Sequence, residues 1–202
     1  MATKSPPIER AAVYEDRPST RKYLPGDFPF VMGANYIVHF RAADVFVPEH
    51  EGILSVKWAA GGNEVYEADR RRFVVDDSCY LILNRRQRYG SHVPAGPRVE
   101  SFCAFFMPGF VENALRSRAL SDHRLLDDPF DASEPVEFFD QLYRHDDIVS
   151  PVLGHARAGI MSRPVTPGWR EERFHDIAGS LHRAHNGAMA EVDRMPAARR
   201  AT

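Results

Sequence analysis

The feature that most constrains the fold is a series of short apolar and aromatic segments within residues 52–108, each ended by residues that favour turns. Several short strands at this spacing predict an antiparallel sheet that curls into a sandwich or barrel. Gly61-Gly62 predicts a tight hairpin, because glycine adopts a positive φ at little cost. The predicted strands cover residues 53–60, 65–68, 73–75, 79–83 and 99–107, and an earlier strand covers 36–40.

The pattern of side chains within these strands predicts how they are covered. Leu54, Val56 and Trp58 alternate with Ser55 and Lys57, which predicts one buried face and one face in water. Residues 79–83 and 102–106 are apolar on both faces, so both faces of these strands are expected to be covered. The sequence therefore predicts a filled barrel with a second layer packed on one side.

Composition and charge narrow the class of protein. A chain of 202 residues suits one domain or a domain with an appendage, and 44% hydrophobic residues suffice for a core. Cys79 and Cys103 lie in apolar strands, which favours buried reduced thiols over a disulfide. The net charge of -2 argues against a surface that binds the phosphate backbone of a nucleic acid. The sequence shows neither a signal peptide nor a membrane-spanning run, so we expect a cytoplasmic protein without a membrane partner.

Four segments are expected along the chain. Residues 1–27 are polar and proline-rich and are interpreted as an N-terminal arm, and residues 28–107 form the barrel, with a loop at 42–51. Residues 108–195 are predicted to be a helical segment, and residues 196–202 a linker. Within the helical segment, apolar spacing predicts helices from residue 110, around 138–143, over 148–160 and over 169–195, with an acidic loop at 122–135.

The longest predicted helix carries an apolar seam at steps of three and four residues. Such a seam needs a partner surface. Two interpretations remain open: the helix packs on its own barrel, or it pairs with a second copy as a dimerisation helix. The seam residues are Phe174, Ile177, Leu181, Ala184 and Ala188.

Several motifs together resemble the N-terminal sensor domain of AraC-type transcription regulators. The likeness covers roughly residues 52–202 and is a profile of strands and turns rather than a catalytic signature. It continues through Pro108-Gly109-Phe110 and Leu125-Leu126-Asp127 into the amphipathic helices. Within the barrel it rests on Ser55-Val56-Lys57, Glu64-Val65-Tyr66-Glu67, Arg72-Phe73-Val74-Val75-Asp76-Asp77, Tyr80-Leu81-Ile82-Leu83-Asn84 with Tyr89, and Phe102-Cys103-Ala104-Phe105-Phe106.

This resemblance implies a fold and a function. The expected fold is mainly β, a cupin-like antiparallel barrel of jelly-roll type followed by a C-terminal helical segment. The expected function is sensing of an unknown small organic effector, with homodimerisation through the helices. DNA would be bound by a helix-turn-helix domain, for which the residues after Met195 are too few. The chain is then either a fragment of a longer regulator, which the linker favours, or a stand-alone sensor.

A stand-alone cupin-fold enzyme with metal-dependent chemistry is the alternative. Catalytic cupins place two histidines one residue apart, followed by a glutamate and a later histidine, and His-x-His does not occur here. Glu171, His175 and His182 flank the seam of the long helix, where they are interpreted as surface residues. An apolar strand raises the pKa of a thiol, which argues against Cys103 as a nucleophile. We therefore predict neither catalytic residues nor a metal or other cofactor.

The remaining candidate site is an aromatic pocket inside the barrel. Aromatic walls with a few polar tips are typical of small-molecule sites. A fully packed core is the competing interpretation, and such walls would suit sugars, aromatic compounds and acyl groups alike. The candidate ligand-binding residues are Trp58, Tyr66, Tyr80, Tyr89, Phe102 and Phe106.

Overall fold

A computed structural model describes residues 12–16, 21–22, 33–119, 135–162 and 164–194 of the chain. Within these ranges the protein has eleven strands and three helices. The strands are β1 (Ala12–Asp16), β2 (Arg21–Lys22), β3 (Tyr36–Ala42), β4 (Val45–Glu51), β5 (Ser55–Ala60), β6 (Glu64–Ala68), β7 (Arg71–Val75), β8 (Cys79–Leu83), β9 (Arg88–Val93), β10 (Val99–Phe105) and β11 (Leu142–Arg144). The helices are α1 (Phe110–Ala119), α2 (Ser150–Ser162) and α3 (Pro167–Arg194).

The strands form two sheets that face each other. The large sheet has the order β1-β3-β10-β5-β8-β11 and the small sheet β2-β4-β9-β6-β7. Pairing is antiparallel except for β1 with β3 and β2 with β4, which are parallel. Non-consecutive neighbours such as β3 and β10 show that the chain crosses between sheets repeatedly, as in a jelly roll. The predicted fold class is therefore confirmed: a cupin-like, mainly antiparallel barrel followed by helices.

The large sheet is covered on both faces. Its inner face packs toward the small sheet and its outer face packs against the helices, and the two faces belong to separate hydrophobic clusters. Because successive residues of a strand point to opposite faces, Cys103 belongs to the inner cluster while its neighbours Phe102 and Ala104 belong to the outer one. The expectation of strands covered on both sides is confirmed for β8 and β10.

The alternation of apolar and polar residues in β5 is confirmed, but the predicted surroundings of its polar face are wrong. Ser55 and Lys57 are 0% and 1% exposed, so the face predicted to lie in water lies between the sheets instead. Leu54 and Val56 are buried against the helices. A period of two identifies which residues share a face, but not whether a second layer covers that face.

Beyond the predicted N-terminal arm, three strands and one turn differ from the prediction. The expected loop at 42–51 contains β4, and the expected helical patch at 138–143 overlaps β11, which pairs with β8. Strand β9 was not predicted at all. Gly61 and Gly62 both have positive φ, at 74° and 156°, but they lead from the large sheet to the small sheet instead of closing a hairpin.

The helices begin at recognisable signals. Asp146 Oδ1 accepts hydrogen bonds from the backbone N–H groups of Ile148 and Val149, at 2.8 and 2.6 Å, just before α2. Pro151 occupies the first turn of α2. Thr166 Oγ1 accepts from the backbone N–H of Trp169 at 3.3 Å and caps α3. The predictions of α1, α2 and α3 are confirmed.

The apolar seam of α3 packs on its own domain. Phe174, Ile177 and Leu181 are 0% exposed, and Ala184 is half-buried against the same outer cluster. The Phe174 ring meets the Phe106 ring edge-on at 5.3 Å. These four residues are thus used within the chain and not as a dimerisation seam, because the outer face of the large sheet supplies the apolar surface they need. The side chain of Ala188 lies outside the described residues.

Of the two predicted terminal segments, the structure describes residues only in the N-terminal arm. Strands β1 and β2 fall within the expected N-terminal arm, and β1 pairs with β3 from Ala12 opposite Ile37 to Asp16 opposite Arg41. The expected acidic loop at 122–135 lies almost wholly outside the described residues, and the expected linker at 196–202 lies wholly outside them. Among the described helices, none is both long and apolar enough to cross a membrane.

A candidate ligand-binding cavity between the sheets

A cavity of about 210 Å³ lies between the two sheets, where the sequence left a pocket and a fully packed core as alternatives. Strands β3, β5 and β10 line it from the large sheet, and β4, β6 and β9 from the small sheet. Glu51 at its edge is exposed, and His50, Gly52 and Ile53 are half-buried. The cavity therefore opens beside the β4–β5 connection. Its wall consists of Tyr36, Val38, Phe40, Val47, His50, Glu51, Gly52, Ile53, Lys57, Glu64, Tyr66, Tyr89, Ser91, Cys103 and Phe105.

Lys57 places a cation in the cavity wall. Its Nζ donates a hydrogen bond to the Tyr89 hydroxyl at 3.0 Å and lies 3.7 Å from the centroid of the Phe105 ring. It also lies 4.8 Å from the centroid of the Tyr89 ring. Within the described part of the chain, no carboxylate pairs with this ammonium. An ammonium group has three N–H donors, so the aromatic contacts stabilise the charge while two donors have no oxygen partner among the described residues.

Glu64 places an anion in the same wall. It is 4% exposed, and each carboxylate oxygen accepts one serine hydroxyl. Ser91 Oγ donates to Oε1 at 2.8 Å and Ser101 Oγ donates to Oε2 at 2.7 Å. Ser91 belongs to the small sheet and Ser101 to the large sheet, so this carboxylate also links the two sheets.

Cys103 and two tyrosines complete the polar part of the wall. Burial raises the pKa of the Cys103 thiol. The charge of Lys57 lowers this pKa and the charge of Glu64 raises it, so both groups lie close enough to interact electrostatically with the thiol. Burial also raises the pKa of Tyr66 and of Tyr36. The Tyr66 hydroxyl lies 3.6 Å from Cys103 Sγ. These three groups are therefore neutral at ordinary pH, and the charge of the wall comes from Lys57, Glu64 and the rim.

Two of the six predicted ligand-binding residues line the cavity. Tyr66 and Tyr89 project from β6 and β9 into it, with ring centroids 6.2 Å apart. Their role in binding stays a prediction.

The other four predicted residues lie on the outer face of the large sheet and do not reach the cavity. The reason is strand alternation: three of them occupy positions of β5, β8 and β10 that point toward the helices, and Phe106 follows directly after β10 on the same face as Phe102. Tyr80, for example, donates a hydrogen bond to Asp146 Oδ2 at 3.0 Å and stacks on Tyr143. The set comprises Trp58, Tyr80, Phe102 and Phe106.

A charged network joins the outer face to α2. His39 Nε2 lies 2.7 Å from Glu100 Oε1, and the Arg157 guanidinium forms a bidentate pair with the same carboxylate. Arg157 also lies over the Trp58 ring, 5.3 Å from its centroid. Hydrogen bonding to Arg157 holds the pKa of Glu100 below its ordinary value, and burial lowers the pKa of His39.

Among the described residues there is no group of three or more histidine, cysteine, aspartate or glutamate side chains placed to share an ion. Glu171 and His175 lie 3.8 Å apart on the surface of α3. Cys79 and Cys103 are buried free thiols, as predicted.

The polar residues of the cavity were missed by sequence reasoning, which looked for aromatic walls. Lys57 was assigned to water, and Glu64, Ser91 and Ser101 were not considered as site residues. The available signal was clearest for Lys57, which lies between the apolar residues Val56 and Trp58, whereas Ser91 lies between Gly90 and His92 and has no such signal. A polar side chain that points to a covered face of a strand lies between two layers of the structure.

Comparison with known proteins finds matches among solved structures only. Neither a known family profile nor a curated protein matches the sequence. The chain is similar to the solved structure of apo ToxT K231A from Vibrio cholerae strain SCE256, with 11% identity and a TM-score of 0.48 over 75% of this chain and 57% of that one. It is also similar to wild-type ToxT of the same strain with a bound unsaturated fatty acid, with 13% identity and a TM-score of 0.46 over 76% and 55%.

A cupin 2 conserved barrel domain protein from Salinispora arenicola CNS-205 is a further neighbour, with 16% identity and a TM-score of 0.32 over 42% of this chain and 68% of that one. The present chain thus spans a little over half of the length of ToxT. ToxT is an AraC-family regulator.

Proposed function

We propose that this domain is the effector-sensing part of an AraC-type transcription regulator and that it binds a small organic molecule in the cavity between its sheets. The observation that carries the proposal is Lys57, a buried ammonium in an apolar and aromatic wall with two unused donors facing about 210 Å³ of space. A buried cation without an anionic partner costs free energy. An acceptor group of a bound molecule would recover part of that cost.

The cavity dimensions favour a small ligand. Drug-sized ligands occupy roughly 300–1,000 Å³, and the present cavity is smaller. Its walls offer Val38, Phe40 and Val47 for apolar contact. We expect a compact molecule with an apolar body and an acidic group, held by burial of the body and by an ion pair with Lys57.

The proposal treats the domain as a binding module rather than an enzyme. The nucleophile in the wall, Cys103, has a raised thiol pKa and hence little thiolate. His50 is a histidine of the cavity wall, and burial lowers the pKa of its ring. Neither group is part of an arrangement of nucleophile, base and orienting acid.

The regulator role adds a homodimer, a cytoplasmic location and DNA contact through a separate helix-turn-helix domain of a full-length regulator. Since the α3 seam is buried within the chain, a homodimer would use another surface. Strands β3, β5 and β10 contact the cavity with one face and the helices with the other. A bound effector would alter regulation only if it favoured one arrangement of these layers.

The test uses octanoate, benzoate and phenylpropionate as probe ligands on the purified domain. We expect at least one of them to bind with a dissociation constant in the micromolar to low millimolar range, measured by calorimetry. Lys57→Met should weaken that binding about tenfold or more, because a charge-assisted hydrogen bond contributes about 1.5–3 kcal/mol.

The matched control is Arg88→Met, which removes a cation of β9 that pairs with Glu49 at the surface. Binding should be unchanged in this variant. Equal binding by wild type and Lys57→Met would contradict the proposed site, and the absence of binding by any probe would contradict the proposed ligand chemistry.

A further inference from the structure

We infer that the effector is bifunctional: it carries an acidic group for Lys57 and, across a short apolar spacer, a hydrogen-bond donor such as an ammonium or hydroxyl group for Glu64. This inference rests on the proposed function, because it concerns the same cavity. It goes further in assigning a second polar subsite, opposite in charge to the first.

The acceptor capacity of Glu64 is only half used. Each carboxylate oxygen has two acceptor positions, and the hydroxyls of Ser91 and Ser101 fill one position on each oxygen. Glu64 is buried and lines the cavity. The remaining positions are available to a donor of a bound molecule, for which a buried carboxylate is a strong partner.

Lys57 and Glu64 stand on different sheets. Lys57 projects from β5 of the large sheet and Glu64 from β6 of the small sheet, and both border the same space. The Cys103 thiol, which the two charges influence in opposite directions, lies in the same wall. Within the described residues the two charges form no ion pair with each other. A molecule with two polar ends can therefore engage both without displacing an internal pair.

A purely structural role for Glu64 is the competing explanation, since its two serine partners join the sheets. That role predicts an effect on stability that is independent of which ligand is bound. The subsite predicts an effect that depends on the donor group of the ligand. A comparison of paired ligands on one variant separates the two.

The experiment compares alkyl carboxylates of four, six and eight carbons with the ω-hydroxy and ω-amino carboxylates of the same lengths, by calorimetry. For wild type, the best ω-amino or ω-hydroxy acid should bind about tenfold or more tightly than the alkyl carboxylate of equal length. Glu64→Gln, which is isosteric, should abolish the preference for the ω-amino acid over the alkyl carboxylate of equal length. Glu49→Gln, which changes an exposed carboxylate on β4 of the same sheet, is the control and should retain the preference.

The outcomes distinguish failure of the bifunctional-effector inference from failure of the proposed function. If alkyl carboxylates bind through Lys57 but the donor group brings no gain, or if Glu64→Gln weakens all ligands equally, the inference is wrong and the proposed function stands. If none of the compounds binds wild type, both are contradicted. If Glu64→Gln does not fold, the wild-type preference is tested with Ser91→Ala, which frees one more acceptor position and should preserve or increase it; loss of the preference there would overturn the inference.

Discussion

The two faces of the large sheet use the same strands for different purposes. On the outer face, Phe102 and Phe106 belong to the apolar cluster shared with the helices, in which the Phe106 ring meets the Phe174 ring edge-on at 5.3 Å. On the inner face, the alternate positions of the same strands carry Lys57, Ser101 and Cys103 and border a cavity. The outer face therefore contributes apolar packing against the helices besides the network of His39, Glu100 and Arg157. The inner face also keeps open space, which a core selected for stability alone would not retain.

The largest expected difference concerns two phenylalanines of β10. Phe102 is 1% exposed on the outer face, where Phe102→Ala should lower the free energy of unfolding by about 3–5 kcal/mol. Phe105 is half-buried on the inner face beside the cavity, so Phe105→Ala should cost less than about 3 kcal/mol. Urea unfolding of both variants measures the difference, and equal losses would contradict the distinction between the faces.

Substitution of Gly52 tests how closely the backbone at the cavity rim packs against the Tyr89 ring. A Cβ at this position would collide with the ring of Tyr89, the partner of Lys57. Gly52→Ala should therefore displace the ring and destabilise the protein by about 1–3 kcal/mol, and weaken binding of octanoate. Gly168→Ala, at an open position in the first turn of α3, is the control and should change stability by less than about 1 kcal/mol. Equal effects would show that the Tyr89 ring adapts freely.

Replacement of the cavity lysine should not lower the free energy of unfolding, in contrast to the substitutions of Phe102 and Gly52. Lys57→Met removes a cation that is 1% exposed and keeps the aliphatic chain. Since burying an unpaired charge costs more than its single hydrogen bond returns, we expect stability to be unchanged or to rise by about 1 kcal/mol. Thermal unfolding measures this. A loss above about 2 kcal/mol would assign Lys57 to the structural core instead.

The smallest expected effect concerns pH and the outer face. Burial lowers the pKa of His39 below its ordinary value of 6.5. The unfolded chain then binds a proton more readily, so this contribution to stability is full above pH 6.5 and is lost as the pH falls below it. The lowered pKa of Glu100 adds a loss of the same sign as the pH falls below its ordinary value of 4.5.

We expect the free energy of unfolding to fall between about pH 7 and pH 5, and to fall less in His39→Gln. His92→Gln, on the small sheet, is the control and should follow wild type. A wild-type stability that rises on acidification over this range would contradict the buried, neutral His39.

The strands with strong local patterns could be predicted from sequence, and those held by tertiary contacts could not. Cys79-Tyr80-Leu81-Ile82-Leu83 is apolar throughout and was placed correctly as β8. By contrast, β4 contains Pro48 and an irregular register between Val47 and His50, and β9 contains Gly90. Both patterns look like loops without the neighbouring strands that complete their hydrogen bonds.

The short strand β11 is a second case in which tertiary structure decides. Its three residues have no strand signal of their own. Tyr143 stacks on Tyr80 of β8, and Asn84 fixes the preceding segment by hydrogen bonds to the backbone of Phe138 at 2.8 and 3.0 Å. These contacts join residues more than fifty positions apart, which no local pattern reveals.

A cavity lies inside the barrel, as one of the two sequence interpretations predicts, but four of the six aromatic residues predicted to bind a ligand face the helices. That the cavity binds a ligand stays a prediction. Aromatic content does not tell the two faces of a doubly covered strand apart, because both need large apolar side chains. The polar residues Lys57 and Ser101 would have done so.

The central claim is that small molecules enter the space between the sheets, and the reactivity of Cys103 tests it most directly. In a Cys79→Ser background, the rate of Cys103 modification by methyl methanethiosulfonate is measured with and without saturating octanoate. The account predicts modification much faster than global unfolding allows, and protection by octanoate that Lys57→Met removes. Modification that is limited by global unfolding and indifferent to octanoate would contradict it.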